Sequence, residues 1–279
     1  MQLRYSLITG PDALAFLQSQ LCGDVETFEQ STFYPTAWCQ PNGRVFCTLL
    51  IARHEGGAII VMPESMAADL AARINLYRIG RKLQATEPGR VGERGPSDGN
   101  LLPALTLAYD RRRDLAVSDA RSSMNAQPIE PCSRDWLMAD LERRMPWILP
   151  ETHDRFLPQM LGLEELGGLS YGKGCYPGQE VIARVHYRGR VTRRIRPFRL
   201  NSKRRPEPGA EVKLDDQSGT VLYGLEGETQ NATCGLAVMP ADCIEGAPIC
   251  VHGAPGLILG PSDPTATRSN AADASIKET

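Results

Sequence analysis

The sequence has little of what would place it in a membrane, a secretory pathway or a metal site. Its longest apolar run, Val45 to Ala52, is interrupted by Thr48, far short of the ~20 residues a membrane helix needs. Met1 to Gly10 show no basic segment followed by an apolar stretch and no Arg/Ser-rich composition, so neither a signal nor a transit peptide is read there. The eight cysteines lie scattered at 22, 39, 47, 132, 175, 234, 243 and 250 with no C-x-x-C among them. Without a secretion signal, reduced thiols in a cytoplasm are the simpler reading. The four histidines, His54, His153, His186 and His252, are equally dispersed, which disfavours a zinc site. A net charge of only −2 excludes a globally basic nucleic-acid binder, though not a local basic patch.

What is present fits a soluble globular protein. The 279 residues, 42% hydrophobic and 23% charged, are long for one domain and sufficient for two. Apolar residues Ala13, Leu14, Phe16, Leu17 and Leu21 recur at helical spacing after Asp12, which suits a helix N-terminus. Pro41-Asn42-Gly43 reads as a turn and leads into a β-rich run, Arg44 to Ile51. A short strand over Ala58 to Met62 follows. Pro63-Glu64-Ser65 then opens a helix to about Tyr77, with Met66, Leu70, Ile74 and Tyr77 on one side. Residues 86–100 read as a loop. Strands are expected over Leu101 to Tyr109 and Leu115 to Val117 around an Arg111-Arg112-Arg113 turn, and a helix over Asp135 to Arg144. This order predicts an α+β region with a mixed or antiparallel sheet over residues 1–190. Beyond it, short β-type runs (Val191–Leu200, Glu211–Leu214, Thr220–Tyr223, Cys234–Val238, Pro248–Val251) alternate with turns, the pattern of a small β-barrel or sandwich over 191–260. Residues 261–279 hold one large aliphatic, Ile276, and read as a flexible tail.

Chemistry concentrates between Leu161 and Arg190. Gly167 to Lys173 fits G-x-x-x-x-G-K, but Gly174 stands where a P-loop needs a hydroxyl for magnesium, and Glu164 and Glu165 spoil the strand expected before it. The dinucleotide glycine spacing is also missed. In Lys173-Gly174-Cys175-Tyr176-Pro177-Gly178-Gln179-Glu180, the thiol sits between glycines and beside a cation, a setting that permits backbone approach by a ligand and favours thiolate. The competing reading is a tight turn whose cysteine is a small buried hydrophobe.

The octapeptide Lys173 to Glu180 resembles the signature of the YgfZ-like folate-binding proteins, relatives of the glycine-cleavage T-protein and of the mitochondrial iron–sulfur assembly factor. Flanking pieces are similar to the family pattern: Ile8 to Asp12, Gln18-x-Gln20, Asp24-Val25, Cys39 to Arg44, Pro146 to Thr152, Phe156 to Met160, Leu169 and Tyr187-Arg188-Gly189. Together they cover about residues 5 to 250. The resemblance implies a T-protein-like folate-binding α+β fold of two subdomains followed by a small C-terminal β-barrel. It implies a cofactor, tetrahydrofolate or a one-carbon-substituted folate. It also implies a role in assembling or maintaining iron–sulfur clusters in client enzymes, including those that thiomethylate tRNA, so that tRNA modification follows indirectly. No membrane partner is implied, and the chain is expected to act as a monomer.

Trp136 falls ten residues before Pro146, as does a folate-contacting tryptophan of the family. Its ring could stack on a pterin, or it could be a core residue of an amphipathic helix. Lys173, Gln179, Glu180 and Arg184 are candidate site lining, a carboxylate or amide for the pterin donor edge and cations for folate carboxylates. For Glu180 and Arg184 the alternative is an i,i+4 surface pair. Cys175 is the candidate reactive or sulfur-ligand residue, because iron–sulfur clusters are held by thiolates. The segment Arg184 to Arg205 holds ten Lys/Arg and no Asp or Glu. It would attract a polyglutamylated folate tail, RNA or an acidic partner, or form a solvated strand face; with only Tyr187 and Phe198 interleaved, single-strand stacking recognition is disfavoured. The rival function is aminomethyl transfer of the T-protein type, which needs a carboxylate after a Gly-Gly turn. The corresponding positions after Gly43 are Cys47 and Thr48, which favours an accessory factor over that enzyme.

Overall fold

The computed structural model describes residues 1–93, 104–109, 114–118, 132–227 and 231–260. The Arg111–Arg113 turn and the 261–279 tail lie outside the described residues. The chain divides into two compact units, one of Met1–Leu137 with Met145–Val191, the other of Met138–Arg144 with Thr192 onward.

The first unit is built on β1 (Leu3–Thr9), α1 (Ala13–Gln20), β2 (Tyr34–Cys39), β3 (Val45–His54), β4 (Gly57–Pro63), α2 (Glu64–Tyr77), β5 (Gln84–Ala85), β6 (Gly89–Glu93), β7 (Ala104–Ala108) and β8 (Asp114–Ser118). The strands form one antiparallel sheet in the order β2-β3-β4-β1-β6-β8-β7, with β5 also on β1. Cys47, Leu49 and Ile51 of β3 and Ala58, Ile60 and Met62 of β4 alternate along their strands and, joined by Phe46 at the start of β3, enter a core closed by Phe16 and Leu17 of α1 and Met66, Leu70 and Ile74 of α2. Each of those three α2 side chains contributes roughly 1.5–3 kcal/mol by leaving water. The Pro63-Glu64 boundary starts α2 as expected, because Pro63 takes an extended backbone just outside the helix and Glu64 complements its dipole. Two readings are corrected. The 86–100 stretch is not all loop, since β6 pairs both β1 and β8. Tyr77 ends α2 half out of the core, at the Arg73 guanidinium.

α3 (Arg134–Glu142) runs from the first unit into the second, and α4 (Gln179–Arg188) closes the first. The second unit is a closed barrel of β9 (Arg193–Leu200), β10 (Glu211–Leu214), β11 (Gln217–Glu226), β12 (Thr233–Pro240), β13 (Pro248–Val251) and β14 (Ala254–Ile258), in the order β10-β11-β12-β9-β14-β13. Phe198, Val212, Val221, Ala237, Met239, Ile249 and Ile258 fill its interior.

Candidate functional site

The Lys173–Glu180 motif is a loop pinned at both ends. Lys173 is only 8% exposed. Its ammonium donates to the main-chain oxygens of Gln18, Leu21 (2.8 Å) and Gly23 (2.8 Å), where α1 ends and its carbonyls have no helical partner. Gln18 shapes that exit: its amide donates to Asp24 Oδ1 at 2.9 Å and accepts from Val25 N at 2.8 Å. Burial pulls the Lys173 pKa down to about 8, opposed by Cys22, Asp24 and Glu26. Tyr176 is buried, its hydroxyl donating to Ser170 O at 3.3 Å and its ring 5.3 Å from the Lys173 ammonium. At the far end Gly178 has φ 83°, and a Cβ there would lie 2.5 Å from Gln40 O and 2.6 Å from Gly43 Cα. The turn between β2 and β3 therefore packs directly on the N-terminus of α4, and only glycine permits it.

Between these anchors Gly174 and Cys175 stand exposed. Apart from its two chain neighbours, no atom of the described residues comes within 4 Å of a Cβ built on Gly174, so open space adjoins this step of the loop. The reading of Cys175 as a buried space-filler is thereby corrected: the buried thiols are Cys22, Cys39, Cys47 and Cys234. All eight cysteines are free. Cys22 and Cys39 lie against each other under the motif. Burial acts to raise the Cys22 thiol, but Cys39, Thr36 and the Ala37 backbone as hydrogen-bond partners, with the Lys173 charge, bring it below its ordinary value. Cys39 is pushed well up by the bond to Cys22 and by burial.

The other candidate residues separate into two groups. Gln179, Glu180 and Arg184 share α4; Gln179 is half-buried with its amide donating to Lys173 O at 3.3 Å, while Glu180 and Arg184 are exposed. No ion pair joins Glu180 to Arg184 among the described residues, so the i,i+4 pair is not formed. Lys173 and Trp136 lie elsewhere. The three donors of Lys173 point at carbonyls, which leaves none for a folate carboxylate. Trp136 is 3% exposed, with Tyr109 stacked on it at 5.1 Å and 20°. Tyr109 thus covers one face of the Trp136 ring. Sequence reading had assigned no role to Tyr176, Gln18 or Tyr109. Gln18 and Tyr176 both lay within the quoted family pieces, whereas nothing local links Tyr109 to Trp136.

The positions weighed for a transfer carboxylate are structural. Thr48 Oγ1 donates to Pro146 O at 2.7 Å and accepts from Ile148 N at 2.9 Å. Cys47 is buried in the core, and burial pushes its thiol up to about 12.

The basic segment divides between the two units: Arg184, Arg188 and Arg190 belong to the first and its other cations to the second. In β9, Arg193 donates to Ser218 O at 2.9 Å and Arg196 to Ala241 O at 3.3 Å, while Phe198 is buried. Around α4, however, aromatics gather that were far apart in sequence: Tyr171 stacks on His186 at 3.8 Å and 24°, and Tyr187 stands edge-on to His186 at 4.8 Å and 85°.

No protein-family model matches the chain. It is similar to the tRNA-modifying protein YgfZ of Edwardsiella ictaluri, with 30% identity over an alignment 250 positions long that covers 77% of this chain and 76% of that protein. YgfZ of Cronobacter sakazakii is 25% identical over an alignment 255 positions long that covers 78% of this chain and 77% of that one. Among solved structures, the glycine cleavage system aminomethyltransferase T from Bartonella henselae superposes with a TM-score of 0.66 at 14% identity, covering 92% of this chain and 83% of that chain. The likeness shows the fold and bears out the expected class, a T-protein-like α+β region followed by a β-barrel.

Proposed function

Because the chain belongs to the YgfZ family of tRNA-modifying proteins, we propose that it binds a reduced folate, tetrahydrofolate or a one-carbon-substituted form, and serves iron–sulfur enzymes as an accessory factor. Modification of tRNA then follows through client enzymes. The observation that carries the reading is the pinned motif loop: buried Lys173 and Tyr176, with Gly178 packed closely on the β2–β3 turn, hold an exposed Gly174-Cys175 step. Binding chemistry concentrates on loops held this way. An exposed thiol there suits ligation or redox work beside a cluster whose irons take thiolates.

Folate fits the residues in part. Gln179, Glu180 and Arg184 supply an amide, a carboxylate and a guanidinium within about one and a half turns of α4. The carboxylate and amide suit the pterin donor edge, and the guanidinium suits a folate carboxylate. When bound, the folate would supply a carrier for one-carbon units. Lys173 is reassigned to positioning the loop, and Trp136 with Tyr109 to packing. Cys47 and Thr48 offer no carboxylate for aminomethyl transfer, which supports an accessory role over the T-protein reaction.

Expression of the chain in cells lacking their own copy should restore tRNA thiomethylation, and Cys175→Ala should fail to do so while melting within a few degrees of wild type. Folate binding should survive the substitution, because a thiol is a weak partner for a pterin. Full rescue by Cys175→Ala, or its collapse in stability, would refute the role given to the thiol.

A further inference from the structure

Tyr187 is 69% exposed at the last turn of α4. Two other rings contact it. His186 lies edge-on to it at 4.8 Å, and Tyr171 does so at 6.2 Å and 62°. Those two rings stack on each other, the Tyr171 hydroxyl donates to Glu164 Oε2 at 3.1 Å, and His186 Nδ1 lies 3.6 Å from Glu164 Oε1. These contacts leave much of the Tyr187 ring to solvent. Arg184 precedes it by about one turn, Arg188 adjoins it and Arg190 follows the helix; all three are exposed, and none has an ion-pair partner among the described residues.

A plain solvated helix face is the alternative. It accounts for three arginines but gives no use to the open aromatic ring among them. Phosphates attract guanidiniums, and bases stack on tyrosine faces at a gain that does not depend on sequence. Of the acidic side chains nearby, Glu164 is engaged by Tyr171 and His186, and Glu180 stands in the first turn of α4, about two turns from Tyr187. One open ring flanked by three cations fits one or two splayed-out bases better than a long strand. Bases splayed from loops of a folded strand are how proteins read RNA.

We propose that Tyr187 with Arg184, Arg188 and Arg190 forms a docking surface for an unpaired loop of a folded RNA. The surface goes beyond the folate reading, with which it shares Arg184 alone, and its test needs no folate.

The test uses the full chain and a fluorescein-labelled RNA hairpin with an unpaired loop, read by anisotropy from about 50 to about 200 mM salt. The hairpin should bind saturably, with a log–log salt slope near −2 for about three phosphates. Tyr187→Ala should weaken it about tenfold and Tyr187→Phe little. Arg188→Ala with Arg190→Ala should bring the slope to about −0.7. Because all these side chains are exposed, melting temperatures should not change, and RNA-binding losses are therefore not folding losses. Four results would overturn the proposal: no saturable hairpin binding at the lowest salt; a fully paired duplex or a DNA hairpin of the same sequence bound equally well; no effect of Tyr187→Ala; or polyglutamate bound as tightly and lost only with the arginines, which would mark an acidic protein partner instead.

Discussion

Replacing Lys173 with methionine keeps the length and removes the charge and the donors. Three hydrogen bonds to the oxygens of Gln18, Leu21 and Gly23 are lost. Charge-assisted bonds of this kind contribute about 2 kcal/mol each, or about 6 together. Against that stands the cost of burying the ammonium. A fall in pKa from 10.5 to about 8 corresponds to at most about 3 kcal/mol, less whatever penetrating solvent screens. The hydrogen bonds win, and Lys173→Met should destabilise the first unit by about 3 kcal/mol. For a unit of this size that is roughly 6–12 °C in melting temperature. The assay is urea unfolding followed by tryptophan fluorescence, because Trp38, Trp136 and Trp147 all lie in the first unit and report it selectively. A loss below about 1 kcal/mol would refute the anchoring role and return Lys173 to the list of candidate ligand contacts.

Gly178→Ala should cost at least about 2 kcal/mol by the same assay, since its Cβ would meet Gln40 O at 2.5 Å with the backbone at φ 83°; a loss under about 0.5 kcal/mol would contradict the close packing of the loop on the β2–β3 turn. Cys47 governs part of the alkaline limb of stability. Its folded pKa is raised from 9.0 to about 12, so above pH 9 the unfolded chain gives up its proton first and stability falls as pH rises. Between about pH 8 and 10 this site alone should remove about 1 kcal/mol, and Cys47→Ala should flatten the unfolding profile by that amount. An unchanged slope would mean that the thiol reaches water.

Elements with a local signature were legible. The Asn42-Gly43 turn, the Pro63-Glu64 start of α2 and the alternating barrel strands each carry their cause in neighbouring residues. Strands β1, β2, β6 and β14 were not read as such. β2 is buried at five of its six positions, which erases alternation, and Pro255-Gly256 gives β14 the look of a turn. Both depend on partners distant in sequence. The motif's thiol is exposed, as its place between glycines led one to expect. The role of Lys173 was not legible, because its acceptors lie 150 to 155 positions away. Trp136 shows the same limit: one face of its ring is covered by Tyr109, a contact that no spacing rule reveals.

The central claim is that the chain holds a reduced folate. Isothermal titration of the purified protein with tetrahydrofolate under anaerobic, reducing conditions tests it most directly. The account predicts saturable one-site binding that is weakened by Glu180→Gln or Arg184→Ala and retained by Cys175→Ala. Absence of saturable heat at millimolar ligand, or binding indifferent to Glu180 and Arg184, would contradict it.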